Sequence, residues 1–214
     1  MSQLTGLSAF FPRVRLSAMN RLMYSLLVVL TLGGALGACE TAPPAKPVTD
    51  VSFTHLPPIA LNVARIEVVS EYRPTYAKPN VEHLFPVTPA SALERWANER
   101  LRPLGNAGVA RFVIMDASVT ETALERKKGL VGLVTIEQAE RYDGAVRARI
   151  EVVDAKGTSG GGASAYATRY QTVAEGASPN DRRKVWLDLV TGMMGDFNTE
   201  MERNVREVLG NFVR

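Results

Sequence analysis

The stretch Ala145-Val-Arg-Ala-Arg-Ile-Glu-Val-Val-Asp154 alternates apolar and charged residues, and this period of two predicts a β-strand. One face of the strand is expected to be apolar and to meet a core: Val146, Ala148, Ile150 and Val152. The opposite face is expected to be charged: Arg147, Arg149 and Glu151. A strand with one apolar and one charged face is typical of an antiparallel or mixed sheet that is covered on one side.

Segments on both sides extend this prediction. Downstream, a glycine-rich turn at 157–162 leads into residues 164–173, where Tyr166, Thr168 and Tyr170 share one face, and the two segments predict a hairpin. Upstream, residues 59–69 and 111–122 have the composition of two further strands. Between them and the hairpin, Thr135-Ile-Glu-Gln138 has the spacing of a capping box and predicts a short helix through Tyr142, followed by a turn at Asp143-Gly144.

Two other segments have helical periodicity. Thr88-Pro89 provides an N-cap and a first-turn proline for a helix that is expected to end near Leu104, with Arg100 extending along its apolar stripe. Ser178-Pro179 begins a much longer helix that is expected to reach Phe212. The long helix carries an apolar stripe at steps of three and four: Val185, Leu189, Met193, Phe197, Met201, Val205, Val208 and Phe212.

The order of these elements is strand, helix, strand, hairpin and helix. It predicts an α+β fold, with a small antiparallel or mixed β-sheet and one short and one long C-terminal amphipathic helix packed on one face. Residues 59–214 are expected to form this fold as a single domain, since their number is sufficient for one sizeable core.

The N-terminal region has a different character. An uncharged apolar run, residues 22–38, follows Arg13, Arg15 and Arg21 and ends in Leu36-Gly37-Ala38-Cys39, which contains the only cysteine of the chain. A positive segment, an apolar segment and small residues at the exit are the parts of a secretory signal. Leucine three positions before cysteine, with small residues between them, resembles the lipobox of bacterial lipoproteins.

This resemblance implies a specific processing. Residues 1–38 would be a signal peptide cut between Ala38 and Cys39, and Cys39 would carry a covalent diacylglycerol and an N-acyl lipid. Residues 39–58, rich in proline, would be an extended tether. The domain would then be lipid-anchored in the periplasm of a bacterial cell envelope, and Glu40 in place of aspartate favours the outer over the inner membrane. Translation from Met19 would give a shorter signal of the same kind.

Two alternatives remain for the apolar run. A transmembrane helix needs about 20 apolar residues, more than this run provides, and Gly33, Gly34 and Gly37 weaken it further. A core helix with a buried cysteine is disfavoured by the same glycines and by the terminal position.

Charge and composition limit the other function classes. Without residues 1–38, the chain has 22 basic and 22 acidic residues, and a nucleic-acid-binding domain is not expected from this balance. With Cys39 acylated, no thiol remains, and two histidines are too few for a typical metal site, so neither a metal nor another cofactor is expected. His55 and His83 have no serine or cysteine partner in a recognisable motif, and the chain is not expected to be an enzyme.

One segment suggests a contact with a partner or a membrane. After Lys127-Lys128, four apolar residues surround two glycines: Leu130, Val131, Leu133 and Val134. An exposed apolar loop of this kind is typical of an interaction site, whereas a short buried strand or hairpin arm is the alternative.

The layout of residues 59–212 also resembles, loosely, the small periplasmic lipoproteins that accompany lipopolysaccharide assembly and ABC-type lipid transport. That resemblance implies a non-catalytic accessory or scaffolding role on an envelope protein complex. A lipoprotein that carries a lipid or small ligand is the alternative, and an envelope hydrolase is a third.

Overall fold

The structure is a computed structural model that describes residues 50–125, 137–154 and 156–214. These residues belong to one compact unit. Its strands are β1 (Ile59–Leu61), β2 (Arg65–Ser70), β3 (Leu101–Pro103), β4 (Val109–Ala123), β5 (Gln138–Val153) and β6 (Ser159–Ala174). Its helices are α1 (Pro89–Arg100) and α2 (Pro179–Val208), with short 3-10 helices at Glu82–Leu84 and Gly210–Phe212.

The strands form two sheets. A four-stranded sheet has the order β2-β4-β5-β6, in which β2 is parallel to β4 and the other neighbours are antiparallel. A two-stranded sheet pairs β1 with β3 in parallel. The predicted α+β fold with a mixed sheet, a short helix and a long C-terminal helix is confirmed.

Both helices begin as the sequence predicts. The Thr88 side chain accepts a hydrogen bond from the Ser91 backbone at 3.1 Å. Ser178 and Asp181 form a reciprocal capping box at the start of α2, and each helix has proline in its first turn. Each cap accepts a hydrogen bond from an N–H group that has no partner within its helix, which fixes the first turn.

The core lies between the helices and one face of the four-stranded sheet, which we call the inner face. Trp96 of α1, Phe112 of β4 and Phe197 of α2 are fully buried, and their ring centroids lie 5.4 to 6.4 Å apart. The apolar side of the alternating strand is buried here as predicted: Val146, Ala148, Ile150 and Val152. Among the described residues, neither helix is long and apolar enough to cross a membrane.

The segment predicted as a first strand is divided in two. Ile59, Leu61 and Val63 are buried as expected, but the backbone turns after Leu61. The Asn62 N–H donates to the Phe212 carbonyl at 2.7 Å, so the chain leaves the two-stranded sheet there and joins the four-stranded sheet at β2. The segment is divided because its backbone pairs with Phe212, near the C-terminal end of the chain. The period of apolar residues in the sequence does not predict this pairing.

Helix α1 is shorter than predicted. It ends at Arg100, and the next three residues form β3 beside β1 instead of a further helical turn. Leu104, expected in the apolar stripe, is therefore more than half exposed.

The segment before β1 also belongs to the packed structure. Val51 and Phe53 are buried in the core, so packing of the chain begins before Ile59.

The prediction of a short helix through Tyr142 and a turn at Asp143-Gly144 is wrong. β5 begins at Gln138 and continues without a turn through these residues. Asp143 is held by Arg141, which donates to it from two nitrogens. A Cβ at Gly144 would lie 3.1 Å from the sulfur of Met193 in α2. Two residue types typical of turns therefore occur inside a strand for reasons of pairing and packing.

Candidate binding site on the outer face of the sheet

The face of the four-stranded sheet opposite to the helices is the outer face. It carries the polar residues of the alternating strands. The exposed fractions of its aromatic side chains are 44% for Tyr166 and 59% for Tyr170. Residues from β4, β5 and β6 lie side by side there because the three strands are paired in continuous antiparallel register over this region. The outer face therefore offers a broad polar and aromatic surface.

A groove crosses this face where small side chains come together. Ser118, Ala145 and Thr168 are cross-strand partners on β4, β5 and β6. The neighbouring row on one side contains Thr120, Asp143 and Tyr170. The groove has a volume of about 340 Å³. Its depth follows from the pattern of side-chain size, since a row of small residues lies next to a row with a large aromatic ring.

One wall of the groove is a fixed arrangement of three side chains. Arg141 donates to both oxygens of Asp143, with the closest distance 2.6 Å, and its guanidinium carbon lies 4.0 Å from the centre of the Tyr170 ring. The hydrogen bonds that Arg141 donates to Asp143 raise the pKa of Arg141 above its usual value. Bidentate pairing and a cation–π contact together restrict the orientation of the ring.

A second stacked pair lies two rows away along β5 and β6. The Arg147 guanidinium lies 4.7 Å from the centre of the Tyr166 ring. The small row of Ser118, Ala145 and Thr168 lies between the two stacked pairs. Arg141 and Tyr170 line the groove, and the Arg147–Tyr166 stack lies on the other side of the small row.

The other outer-face arginines have carboxylate partners. Arg65 donates to Glu67 at 3.0 Å, and this hydrogen bond lowers the pKa of Glu67. Arg149 pairs with Glu151 at 2.6 Å and with Glu71 at 3.4 Å. Arg65 and Arg149 therefore form ion pairs on the outer face.

The groove presents hydroxyl groups, a paired carboxylate and guanidinium, and aromatic surface. These groups are suited to recognition, because they donate and accept hydrogen bonds and offer ring faces. Along the described stretches of the groove, serine or threonine is not accompanied by a histidine that would act as a base.

Another polar cluster lies on the inner face at the end of the sheet. The Tyr142 hydroxyl donates to Glu140 at 2.7 Å and accepts from Arg182 of α2 at 2.6 Å. Burial is the main reason that the pKa of Tyr142 is raised. Its ring packs edge-on against Trp186 and Phe85. These contacts attach the first turns of α2 to β5, so the cluster has a structural role.

The residues predicted as sites lie outside the part of the chain that the structure describes. They are the predicted cleavage and lipidation residues, Ala38 and Cys39, and the predicted contact residues Leu130, Val131, Leu133 and Val134. Within residues 50–125, 137–154 and 156–214, no three side chains of histidine, cysteine, aspartate or glutamate are grouped to hold a metal ion.

The sequence predicts that some residues of this face lie together, but it does not predict the groove. The shared face of Tyr166, Thr168 and Tyr170 follows from the strand period and is observed. Arg141 and Asp143 were missed because the capping-box pattern and the Asp-Gly pair assigned them to a helix and a turn. The missed signal is the continuation of the alternating pattern upstream of Ala145: Tyr142 and Gly144 face inward, and Arg141 and Asp143 face outward.

Neither a protein-family model nor a curated protein matches this chain.

Proposed function

We propose that this chain is a lipid-anchored protein of the bacterial cell envelope that binds an envelope protein through the outer face of its sheet, without a catalytic step. The anchor is proposed from the sequence at Leu36-Gly37-Ala38-Cys39. The binding role is proposed from the groove between the two arginine–tyrosine stacks. The single observation that carries the proposal is the placement of the only cysteine directly after an uncharged apolar run that ends in small residues.

The physical reason for a lipid anchor is the free energy of acyl-chain burial. Each buried methylene contributes about 0.8 kcal/mol, so one chain binds a bilayer reversibly while two or three hold a protein there stably. A balanced charge after Cys39 gives no electrostatic attraction to an anionic surface. Membrane association of the domain would thus depend on the acyl chains.

The outer face supports a protein partner more than a carried lipid. A lipid carrier would need an apolar cavity, for which the space between helices and sheet is the natural place. In the described core, that space is filled at its centre by the contacting rings of Trp96, Phe112 and Phe197. Exposed tyrosines beside ordered arginines are typical of protein interfaces, where both residue types are enriched.

The anchor is tested by Cys39→Ser in the native host, with radiolabelled or alkyne-labelled fatty acid. The expected result is a precursor that keeps its signal and takes up no label. Thr41→Ala, two residues downstream, is the matched control and should be cleaved and labelled like the wild type. A membrane-spanning segment would give no change in mass or membrane association for Cys39→Ser, and that result would reject the anchor.

The binding face is tested by filling the groove. Ala145→Arg places a long side chain on the small row, whereas Thr191→Arg adds the same side chain to the exposed surface of α2, away from the outer face. After detergent extraction at native abundance, the wild type and Thr191→Arg should co-purify with the same envelope protein, and Ala145→Arg should lose it. Purification of the wild type alone, or equal recovery with both variants, would contradict the proposal.

A further inference from the structure

Strand β6 is the last strand of the four-stranded sheet, and none of the other described strands pairs with its second edge. Its register with β5 is unbroken from Gly161 to Val173. Residues 159–174 contain no proline, and Arg169 is their single charged residue. Proline, bulges and charged residues are the usual means by which proteins keep an edge strand from pairing. The central part of β6 has almost none of them.

A hydrogen bond from α2 identifies the backbone groups that point to this edge. The Asn204 side chain donates to the Ser164 carbonyl at 2.7 Å, so this carbonyl faces away from β5. Backbone groups in an antiparallel pair alternate in direction with a period of two. After Ser164, the residues of β6 whose backbone groups point to the second edge are therefore Tyr166, Thr168, Tyr170 and Thr172. The side chains of these residues all lie on the outer face.

The residues whose backbone groups point to the second edge form a pattern that is symmetric about Thr168. Tyrosine lies two residues before it and two residues after it, and a hydroxyl residue lies four residues away on each side: Ser164, Tyr166, Thr168, Tyr170 and Thr172. When two identical strands pair antiparallel about a two-fold axis, a residue before the axis lies opposite the residue that is equally far after the axis in the second strand. This strand is therefore complementary to itself.

We propose that β6 pairs antiparallel with β6 of a second copy of this chain, about a two-fold axis at Thr168. In that register, Tyr166 lies opposite Tyr170 of the second copy, and Thr168 lies opposite its own equivalent. Aromatic pairs and threonine pairs are among the favourable cross-strand neighbours. The pairing extends from Tyr166 to Tyr170 and ends before Ser164, whose carbonyl already accepts a hydrogen bond from Asn204.

The charges on β6 are compatible with pairing to a second copy of the chain. Arg169, on the inner face, lies opposite Ala167 of the second copy and not opposite another arginine. Its guanidinium is already paired with Asp196 of α2, at 2.7 and 3.2 Å. On the outer face, the edge tyrosines are held by Arg141 and Arg147. No charge on the described central part of β6 is therefore brought against a like charge by the pairing.

Helix α2 contacts β6 at the level of Arg169. Gly192 lies against Arg169, since a Cβ there would be 2.7 Å from the guanidinium. Gly195 is exposed, and a Cβ there would have no neighbour within 4 Å.

This dimer is independent of the proposed function, because it needs neither the lipid nor an envelope partner. It would join two four-stranded sheets into one, with both grooves on the same face. The pairing strands contribute few residues, which places the interface in the small class and predicts a reversible dimer.

The test uses a charge exchange at the two-fold axis in the full chain, purified in detergent. Thr168→Lys and Thr168→Glu each place like charges opposite each other, so each variant alone is expected to lose the dimer. An equimolar mixture is expected to restore it, because a lysine then faces a glutamate. Thr122→Lys, on the same face but on β4, should dimerise like the wild type. The protein mass in the detergent complex is measured by light scattering with refractive-index and absorbance detection.

A second measurement does not depend on whether Thr168→Lys and Thr168→Glu fold. Thr168→Cys would place two cysteine Cα atoms about 5.5 Å apart across a hydrogen-bonded pair, within the range that a disulfide spans. Oxidation in membranes should give a cross-linked dimer that Thr122→Cys does not give, with Cys39 present in both. A wild type that is a single copy at about 100 µM, well above the Kd of a micromolar dimer, overturns the proposal. Cross-linking of Thr168→Cys to a different protein also overturns it and assigns the edge to a partner's strand.

Discussion

Arg100 donates to the carboxylate of Glu202 at 2.5 Å, although the arginine side chain has no exposed surface. The same guanidinium donates to Asn198, which also accepts a hydrogen bond from Trp96, and to the Pro57 carbonyl. Burial lowers the pKa of Arg100, and the Glu202 charge opposes this effect. A buried arginine with several hydrogen bonds thus joins α1, α2 and the segment before β1.

Glu202→Gln is expected to reduce the free energy of unfolding by about 2 kcal/mol. Removal of one partner of a buried pair usually costs about 3 to 5 kcal/mol, because the other charge stays buried without compensation. The expected loss is smaller here because the Glu202 side chain is 27% exposed and glutamine can still accept a hydrogen bond. Urea unfolding followed by circular dichroism measures this change.

The control is Arg206→Gln, which removes the other partner of Glu202. Arg206 is 65% exposed and pairs with Glu202 at 2.7 Å across one helical turn. Such exposed pairs contribute about 0.5 kcal/mol or less. If both variants lost the same stability, the burial of Arg100 would not be the reason for the cost.

The Glu202 pair also predicts a pH dependence. The hydrogen bond from Arg206 and the charge of Arg100 lower the pKa of Glu202 below its usual value of 4.5. A carboxyl with a lowered folded-state pKa stabilises the fold above the usual value and loses this contribution as the pH falls through the folded-state pKa. The stability difference between wild type and Glu202→Gln should therefore be largest near neutral pH and shrink below about pH 4. A difference that is constant with pH would contradict this origin.

The fold class followed from the sequence because the strand period and the helix caps are local signals. Ser178, Asp181 and the alternation from Val146 to Val152 predict the observed helix start and strand without any tertiary information. Arg100 was expected only to extend along an apolar stripe, yet it is fully buried. Its burial depends on acceptors from Pro57, Asn198 and Glu202, which are far from it in sequence.

The groove could be predicted only in part for the same reason. Its position depends on which residues of β4, β5 and β6 lie opposite each other, and the register is set by the whole hairpin. Asp143 and Gly144 have the composition of a turn, but Arg141 and Met193 hold them within a strand. Local composition and tertiary contacts disagree at this point, and the contacts determine the structure.

The aromatic cluster at the centre of the core predicts a large cost of truncation. Phe197→Ala should destabilise the fold by about 3 to 5 kcal/mol, because Phe197 is fully buried and contacts Trp96 and Phe112. Val208→Ala is the matched control on the same helix, since Val208 was predicted in the apolar stripe but is 59% exposed. That control should change stability by about 0.5 kcal/mol or less. Equal losses in the two variants would show that the stripe is buried along its full length.

The capping box of α2 predicts a loss of stability together with a change in a pKa. Ser178→Ala should cost about 1 kcal/mol, because the serine hydroxyl accepts from the Asp181 N–H at 3.2 Å. The same hydroxyl donates to the Asp181 carboxylate at 2.7 Å and is the largest cause of the lowered pKa of Asp181. In Ser178→Ala, the pKa of Asp181 should therefore rise toward its usual value of 3.8. Carboxyl-carbon NMR titration measures the pKa, and urea unfolding measures the stability. Thr191→Ala, exposed in the middle of α2, should leave this pKa unchanged. A loss of stability in Ser178→Ala without a rise in the pKa of Asp181 would mean that the hydroxyl does not bond the carboxylate.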